Sequence, residues 1–161
     1  MKITRIIGLV GLPGSGKTTV AKHLEKNGYY SVVLSDFIRE EAKKSGVVKI
    51  TREILQDYGN KLRGQYGPQI LAQLALKKIR TLDKNRIVID GIRNLYEVAF
   101  LQVENNFMFI GVTARPKIRY LRLLQRPDRP WHGTLKEFLQ QEKREESLGS
   151  KEIGLRVSEC F

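Results

Sequence analysis

Gly11-Leu-Pro-Gly-Ser-Gly-Lys-Thr18 brings three glycines, an ammonium and a hydroxyl into eight residues, at a spacing suited to holding a polyphosphate. In the pattern glycine, any four residues, Gly-Lys-Ser/Thr, the glycines let the backbone curl until its N–H groups face phosphate oxygens. Lys17 then reaches the β- and γ-phosphates and Thr18 offers its hydroxyl to Mg²⁺. Gly11, Leu12, Pro13, Gly14, Ser15, Gly16, Lys17, Thr18 and Thr19 are thus the expected ATP-binding segment.

Two elements must position that loop. Ile6–Val10 is an apolar run that reads as a strand entering it, and Thr19–Asn27 reads as a helix leaving it, with Val20, Ala21 and Leu24 on one face and Gly28 as its stop. An anion on the loop would also sit at the N-terminus of that helix, where unpaired N–H groups and the helix dipole favour negative charge.

Further candidates follow the strands. Tyr29–Leu34 reads as a buried strand ending at Ser35-Asp36, either of which can cap a helix over Phe37–Lys44. At a strand's carboxyl end Asp36 lies where ligands collect in open α/β sheets, so helix cap and catalytic carboxylate both remain open for it. Residues 51–66 read as a polar, basic helix capped by Thr51, and Pro68 is placed to open another helix carrying Leu71, Ala75, Ile79 and Leu82. The helical stretch 37–82 is where a second substrate would be held, unless it is a solvated insertion.

Arg86–Gly91 is a short strand ending in an acid, and Asp90 is the carboxylate expected to orient the Mg²⁺ shell, through water. Arg93, just beyond, is placed to hold a substrate phosphate or to pair with Glu97 one turn on. Asn94–Glu104 reads as a helix with Leu95, Val98 and Ala99 inward, and Phe107–Val112 as a fourth strand. Arg115, Arg119, Arg122 and Arg126 then recur at steps of four, three and four, one helical face, with Ile118 and Leu121 on another that would face the core. Such a row calls for a counter-anion, or else forms a solvated basic face. Arg126–Gly133 reads as an ordered loop, and Thr134-Leu-Lys-Glu137 as a capping box opening a last helix with Phe138 and Leu139 inward.

With 161 residues, a net charge of +12 and one cysteine, the chain suits a single soluble domain with no internal disulfide. No apolar run is long enough for a membrane span and no export signal opens the chain, so a cytoplasmic protein is expected. The positive field attracts nucleotides and nucleic acid alike. No RNA-reading motif accompanies it, so nucleic acid is a possible partner that no motif supports. Alternating strands and helices imply an α/β fold with a parallel sheet covered on both faces.

With the phosphate loop, Asp90-Gly-Ile-Arg93 and Arg122-Leu-Leu-Gln-Arg126, the chain resembles the nucleoside monophosphate kinase superfamily of P-loop proteins, in its adenylate kinase-like or dephospho-CoA kinase-like branch. The resemblance spans Ile6 to about Gly149. It implies a three-layer α/β/α P-loop fold of 161 residues with four strands visible and a fifth missing at the C-terminus, a helical acceptor-binding insertion at 37–82 and a short lid at 126–146. It implies a γ-phosphoryl transfer from ATP, with Mg²⁺, to a small phosphorylated acceptor such as a nucleotide. Lys17, Asp36, Arg122, Arg126 and Arg144 would be catalytic, with Arg122 and Arg126 on ATP. Asp36, Arg39, Arg63 and Arg93 would lie on the acceptor side, and Thr18 and Asp90 on the metal side. A dephospho-CoA kinase-like enzyme acting on a ribose hydroxyl, and a nucleic-acid-associated ATPase or nucleotide switch, are the alternatives. The chain departs from the pattern in its short lid, in Arg129 where relatives carry an acid, and in Gln141 where they carry arginine.

Overall fold

The computed structural model describes residues 5–127 and 131–147. Its centre is a sheet of four parallel strands in the order β2-β3-β1-β4, formed by β1 (Arg5–Val10), β2 (Tyr30–Val33), β3 (Arg86–Ile92) and β4 (Phe107–Gly111). Seven helices are described: α1 (Lys17–Lys26), α2 (Leu34–Lys44), α3 (Arg52–Tyr66), α4 (Ile70–Thr81), α5 (Leu95–Gln102), α6 (Pro116–Leu124) and α7 (Leu135–Ser147). This is the α/β parallel-sheet architecture expected from the sequence.

Strand side chains alternate between two apolar layers, as the twofold period of a strand requires. Ile6, Val10, Ile87 and Ile89 pack with Ile38 of α2, Leu62 of α3, Leu71, Ala75 and Ile79 of α4 and Val98 and Leu101 of α5. Ile7, Leu9 and Val88 point the other way, onto Ala21, with Val20 and Leu24 of α1 at the margin. Both faces are covered, which is why these strands read as unbroken apolar runs. Gly8 is fixed by packing, since a Cβ there would stand 2.5 Å from the Phe107 ring.

Several local expectations are met. Thr51 Oγ1 accepts from the Ile54 amide at 3.3 Å, capping α3. Thr134 and Glu137 close the capping box, Glu137 Oε2 accepting from the Thr134 amide at 2.6 Å and Thr134 Oγ1 accepting from the Glu137 amide at 3.2 Å. The first of these bonds holds the Glu137 carboxyl below its usual pKa.

Other expectations are corrected. α2 begins at Leu34, directly off β2, so Ser35 and Asp36 lie in its first turn and neither side chain caps it. Pro68 precedes α4 by two residues and forms a turn, with Gln69 at the cap. In α5 the inward residues are Glu97, Val98 and Leu101, while Leu95 and Ala99 face solvent. On α6 the assignment of faces reverses: Ile118 and Leu121 are 42% and 48% exposed, and Arg119 is buried beside Leu123. Leu139 of α7 is also exposed, and Phe138 alone of that pair is inward.

Candidate phosphate-binding site

The loop between β1 and α1 lies at the carboxyl end of a central strand, where the sheet presents its ligand-binding edge. Gly14 and Gly16 have φ of 77° and 112°, values that cost a residue with a Cβ and that only glycine adopts freely. At Gly14 space is equally decisive, because a Cβ there would stand 2.6 Å from the Arg119 backbone oxygen. The bare backbone thereby lets α6 close onto the loop. α1 starts at Lys17, two residues earlier than the periodicity predicts, so Lys17, Thr18 and Thr19 form its first turn. Gly16 caps the helix without a side-chain hydrogen bond, and the first turn holds no acid. Its N–H groups and dipole are therefore left to an external anion.

Lys17 donates to the Gly11 carbonyl and, at 3.2 Å, to that of Leu12, which folds its ammonium back over the loop. Burial, followed by the charge of Arg93, lowers its pKa to about 8; Asp90 opposes the fall, and Arg126 and Arg119 add to it. The shift places Asp90, Arg93 and Arg126, with Arg119 of the arginine row, within electrostatic range of Lys17. Because Lys17 is charged only below about pH 8 in the free protein, affinity for a polyphosphate should fall as pH rises through that value. Titration calorimetry with Mg-ATP at pH 7 and pH 9 should show this loss in the native chain, and Lys17→Met should remove the pH dependence.

Asp90 sits beside a bulge. β1 and β3 pair Leu9 with Asp90 but Val10 with Ile92, and Gly91, at φ 93°, is the extra residue. Bulges re-aim side chains at sheet ends. Asp90 Oδ1 is shut off from solvent and accepts no hydrogen bond from a described residue. A buried carboxylate oxygen without a donor is costly, and a cation or its bound water would satisfy it. The acid-free, uncapped N-terminus of α1 and this oxygen fit a polyphosphate with Mg²⁺, which the loop amides, Lys17, the exposed Thr18 and Asp90 could hold.

The arginines divide into different environments. Arg122 donates from Nη1 to the carbonyls of Gly14 (3.2 Å) and Ser15 (3.0 Å), fastening α6 to the loop. Arg119, 4% exposed, makes a two-pronged ion pair with Glu142 of α7, one prong 2.9 Å long, and donates from Nε to the Ala114 carbonyl at 3.0 Å. Its counter-anion is thus a carboxylate of the protein, which the spacing of the arginine row did not reveal. Arg126 lies two residues beyond α6, off the helical face the spacing assigns it.

On the expected acceptor side, Arg39 bonds Ser35 (2.6 Å) and Asp36 (2.7 Å) within α2. Arg63 is buried, 3% exposed, and donates to Glu97 at 3.1 Å. Arg144 lies on α7, its side chain outside the described residues, and Arg129 of the lid is outside them as well. Glu97 is the polar residue that sequence reasoning undervalued. Its signal was Asn94-Leu-Tyr-Glu97, a helix-capping spacing, and Asn94 Oδ1 does accept from the Glu97 amide at 2.8 Å.

Among the described residues no helix is long and apolar enough to cross a membrane.

Comparison with known proteins agrees with this geometry. Residues 7–146 match the family described as an AAA domain. The UPF0200 protein TK1334 of Thermococcus kodakarensis is 35% identical over 149 residues, covering 89% of this chain and 80% of that protein. The UPF0200 protein PH1008 of Pyrococcus horikoshii is 37% identical over 153 residues, covering 92% and 82%. Among solved structures, TT1252 from Thermus thermophilus superposes with a TM-score of 0.60 at 22% identity, over 94% of this chain and 87% of its own. Shikimate kinase from Bacteroides thetaiotaomicron does so with 0.59 at 20% identity, over 87% and 79%. These two likenesses concern the fold, which is that of P-loop kinases. The match over residues 7–146 establishes that the chain belongs to the AAA-domain family, and the relatives above 30% identity place it among the UPF0200 proteins.

Proposed function

We propose that the protein is an ATP- and Mg²⁺-dependent phosphotransferase that moves the γ-phosphoryl of ATP to a small phosphorylated acceptor, a nucleotide. The observation that carries this reading is the cluster around Lys17: a buried ammonium with Arg93 and Arg126 near enough to lower its pKa, and one carboxylate, Asp90, opposing them. Phosphoryl transfer requires positive charge around the migrating group, and Lys17, Arg93 and Arg126 supply it here.

In this mechanism the loop amides and Lys17 hold the triphosphate, Thr18 and Asp90 hold the metal shell, and Arg93 grips the acceptor's phosphate. Arg126 bears on the migrating group. Mg²⁺, when bound, neutralises charge shared by the β- and γ-phosphates. Arg122 fixes the loop against α6 through the Gly14 and Ser15 carbonyls. One P–O bond forms to the acceptor and one breaks to ADP, so the protein's contribution is positioning and electrostatics. Arg126→Ala should lower kcat roughly 10²-fold with little change in the KM for ATP. Steady-state kinetics would decide the point, and wild-type turnover in both Arg126→Ala and Lys17→Ala would overturn the proposal.

A hydroxyl acceptor is the second reading, favoured by the position of Asp36 in the first turn of α2 at the end of β2, half exposed, its Oδ1 2.7 Å from Arg39. It predicts that Asp36→Asn abolishes turnover and spares ATP binding.

A further inference from the structure

Glu97 is wholly buried on α5, yet its carboxylate is not spent on its own helix. Oε1 accepts from Arg63 of α3 at 3.1 Å, and Oε2 accepts from the backbone amide of Arg93 at 2.7 Å. In an ordinary capping box the glutamate three residues into a helix returns to the amide of the cap residue. Here Asn94 is the cap, and the carboxylate reaches one residue further, to Arg93. That residue directly follows β3 and its bulge, where the chain has left the sheet and has no ladder partner. Asn94 ties the same corner down from the other side, its amide donating to the Pro68 carbonyl at 3.3 Å.

A buried ion pair is a weak device for stability, since apolar side chains of similar volume generally serve as well. This one is nevertheless given room. Gly59, one turn before Arg63 on α3, lacks the Cβ that would stand 3.1 Å from the Arg63 guanidinium. The pair also joins three elements at one point: α3 from the helices between β2 and β3, α5, and the corner carrying Arg93. Arg93 in turn directly follows Ile92, which pairs with Val10 at the entrance to the phosphate loop.

We infer that Glu97, held by Arg63, is a positioning residue: it fixes the Arg93 backbone and thereby aims the Arg93 guanidinium at a phosphate group beside the loop. This deepens the proposed function and rests on its assignment of an acceptor phosphate to Arg93. Removing one partner alone would strand a buried charge and endanger folding, so the test uses two double variants of the full chain. Arg63→Met/Glu97→Gln keeps an oxygen able to accept from the Arg93 amide, and Arg63→Met/Glu97→Leu does not. Both abolish the buried charges equally.

With Mg²⁺ and a non-hydrolysable ATP analogue saturating the loop, inorganic phosphate is titrated while the Arg93 amide and side-chain Nε–H signals are followed by NMR. The expected result is that phosphate moves the Arg93 Nε–H signal in the native chain. The Gln variant should keep the downfield amide of a charge-assisted or strong hydrogen bond and bind phosphate comparably. The Leu variant should lose that amide shift and bind phosphate about tenfold more weakly, with affinity for the ATP analogue unchanged. The inference is overturned if phosphate leaves Arg93 unperturbed in the native chain, if the two variants behave alike, or if affinity for the analogue falls in step with that for phosphate, the mark of a merely structural role. A phosphate response at Arg93 in a protein without acceptor-dependent turnover would sink the proposed function and leave the positioning role standing.

Discussion

Replacing Lys17 with methionine is expected to leave the protein as stable as before and catalytically inert. In the unfolded chain a lysine titrates near 10.5, and here it titrates at about 8, chiefly through burial and the neighbouring Arg93. Between those values the unfolded state binds more protons, so stability from this group rises with pH across the window. Below pH 8 the penalty is fully present, at roughly 3 kcal/mol. Methionine keeps most of the aliphatic stem and removes the charge. The hydrogen bonds to the Gly11 and Leu12 carbonyls come from a charged donor and are worth about 1.5 kcal/mol each, so their loss offsets that gain. Thermal unfolding should show Tm within about 2 °C of the native value, with turnover down by roughly 10³-fold. A lower Tm would mean that Lys17 is held in place for the fold and not for a ligand.

A loss of stability is expected at Glu142. Glu142→Ala leaves the guanidinium of Arg119, 4% exposed, without its carboxylate, and breaking a buried pair from one side costs about 3–5 kcal/mol. The loss is a large share of a domain's stability of about 5–15 kcal/mol, and Tm should fall by roughly 10 °C. Arg119→Met/Glu142→Leu should recover most of that loss, since no charge is then stranded. The double variant also separates fold from function, because Arg122 still fastens α6 to the Gly14 and Ser15 carbonyls. Failure of the double variant to recover would instead assign the cost to the packing of Arg119, which also lies over the Phe138 ring at 5.6 Å.

These two sites show where the sequence could be read and where it could not. The phosphate loop was legible because its information is local: glycines that must adopt positive φ, a strand before and a helix after. The inner strands β1 and β3 were legible because each is buried on both sides and so reads as an apolar run. The face of α6 was not, because one-dimensional periodicity assigns Ile118 and Leu121 to the core and gives the arginine row a ligand anion or solvent. Arg119 is inward instead, because its partner Glu142 lies 23 residues away on α7 and its backbone closes on Gly14. Neither contact leaves a trace in the local pattern. Arg63 illustrates the same limit, since an arginine on an amphipathic helix gives no sign that Glu97, 34 residues on, will bury it. The capping role open to Ser35 and Asp36 failed for a smaller cause, a helix that starts directly from the strand without the expected capping turn.

ADP release from Mg-ATP, followed with a panel of nucleoside monophosphates, dephospho-CoA and no acceptor, tests the central claim most directly, with Lys17→Met as control. The expected result is ADP production that depends on a nucleoside monophosphate and disappears in the Lys17 variant. The same slow hydrolysis with every addition and with none would contradict phosphotransfer, and would leave an ATPase or nucleotide switch built on the P-loop fold.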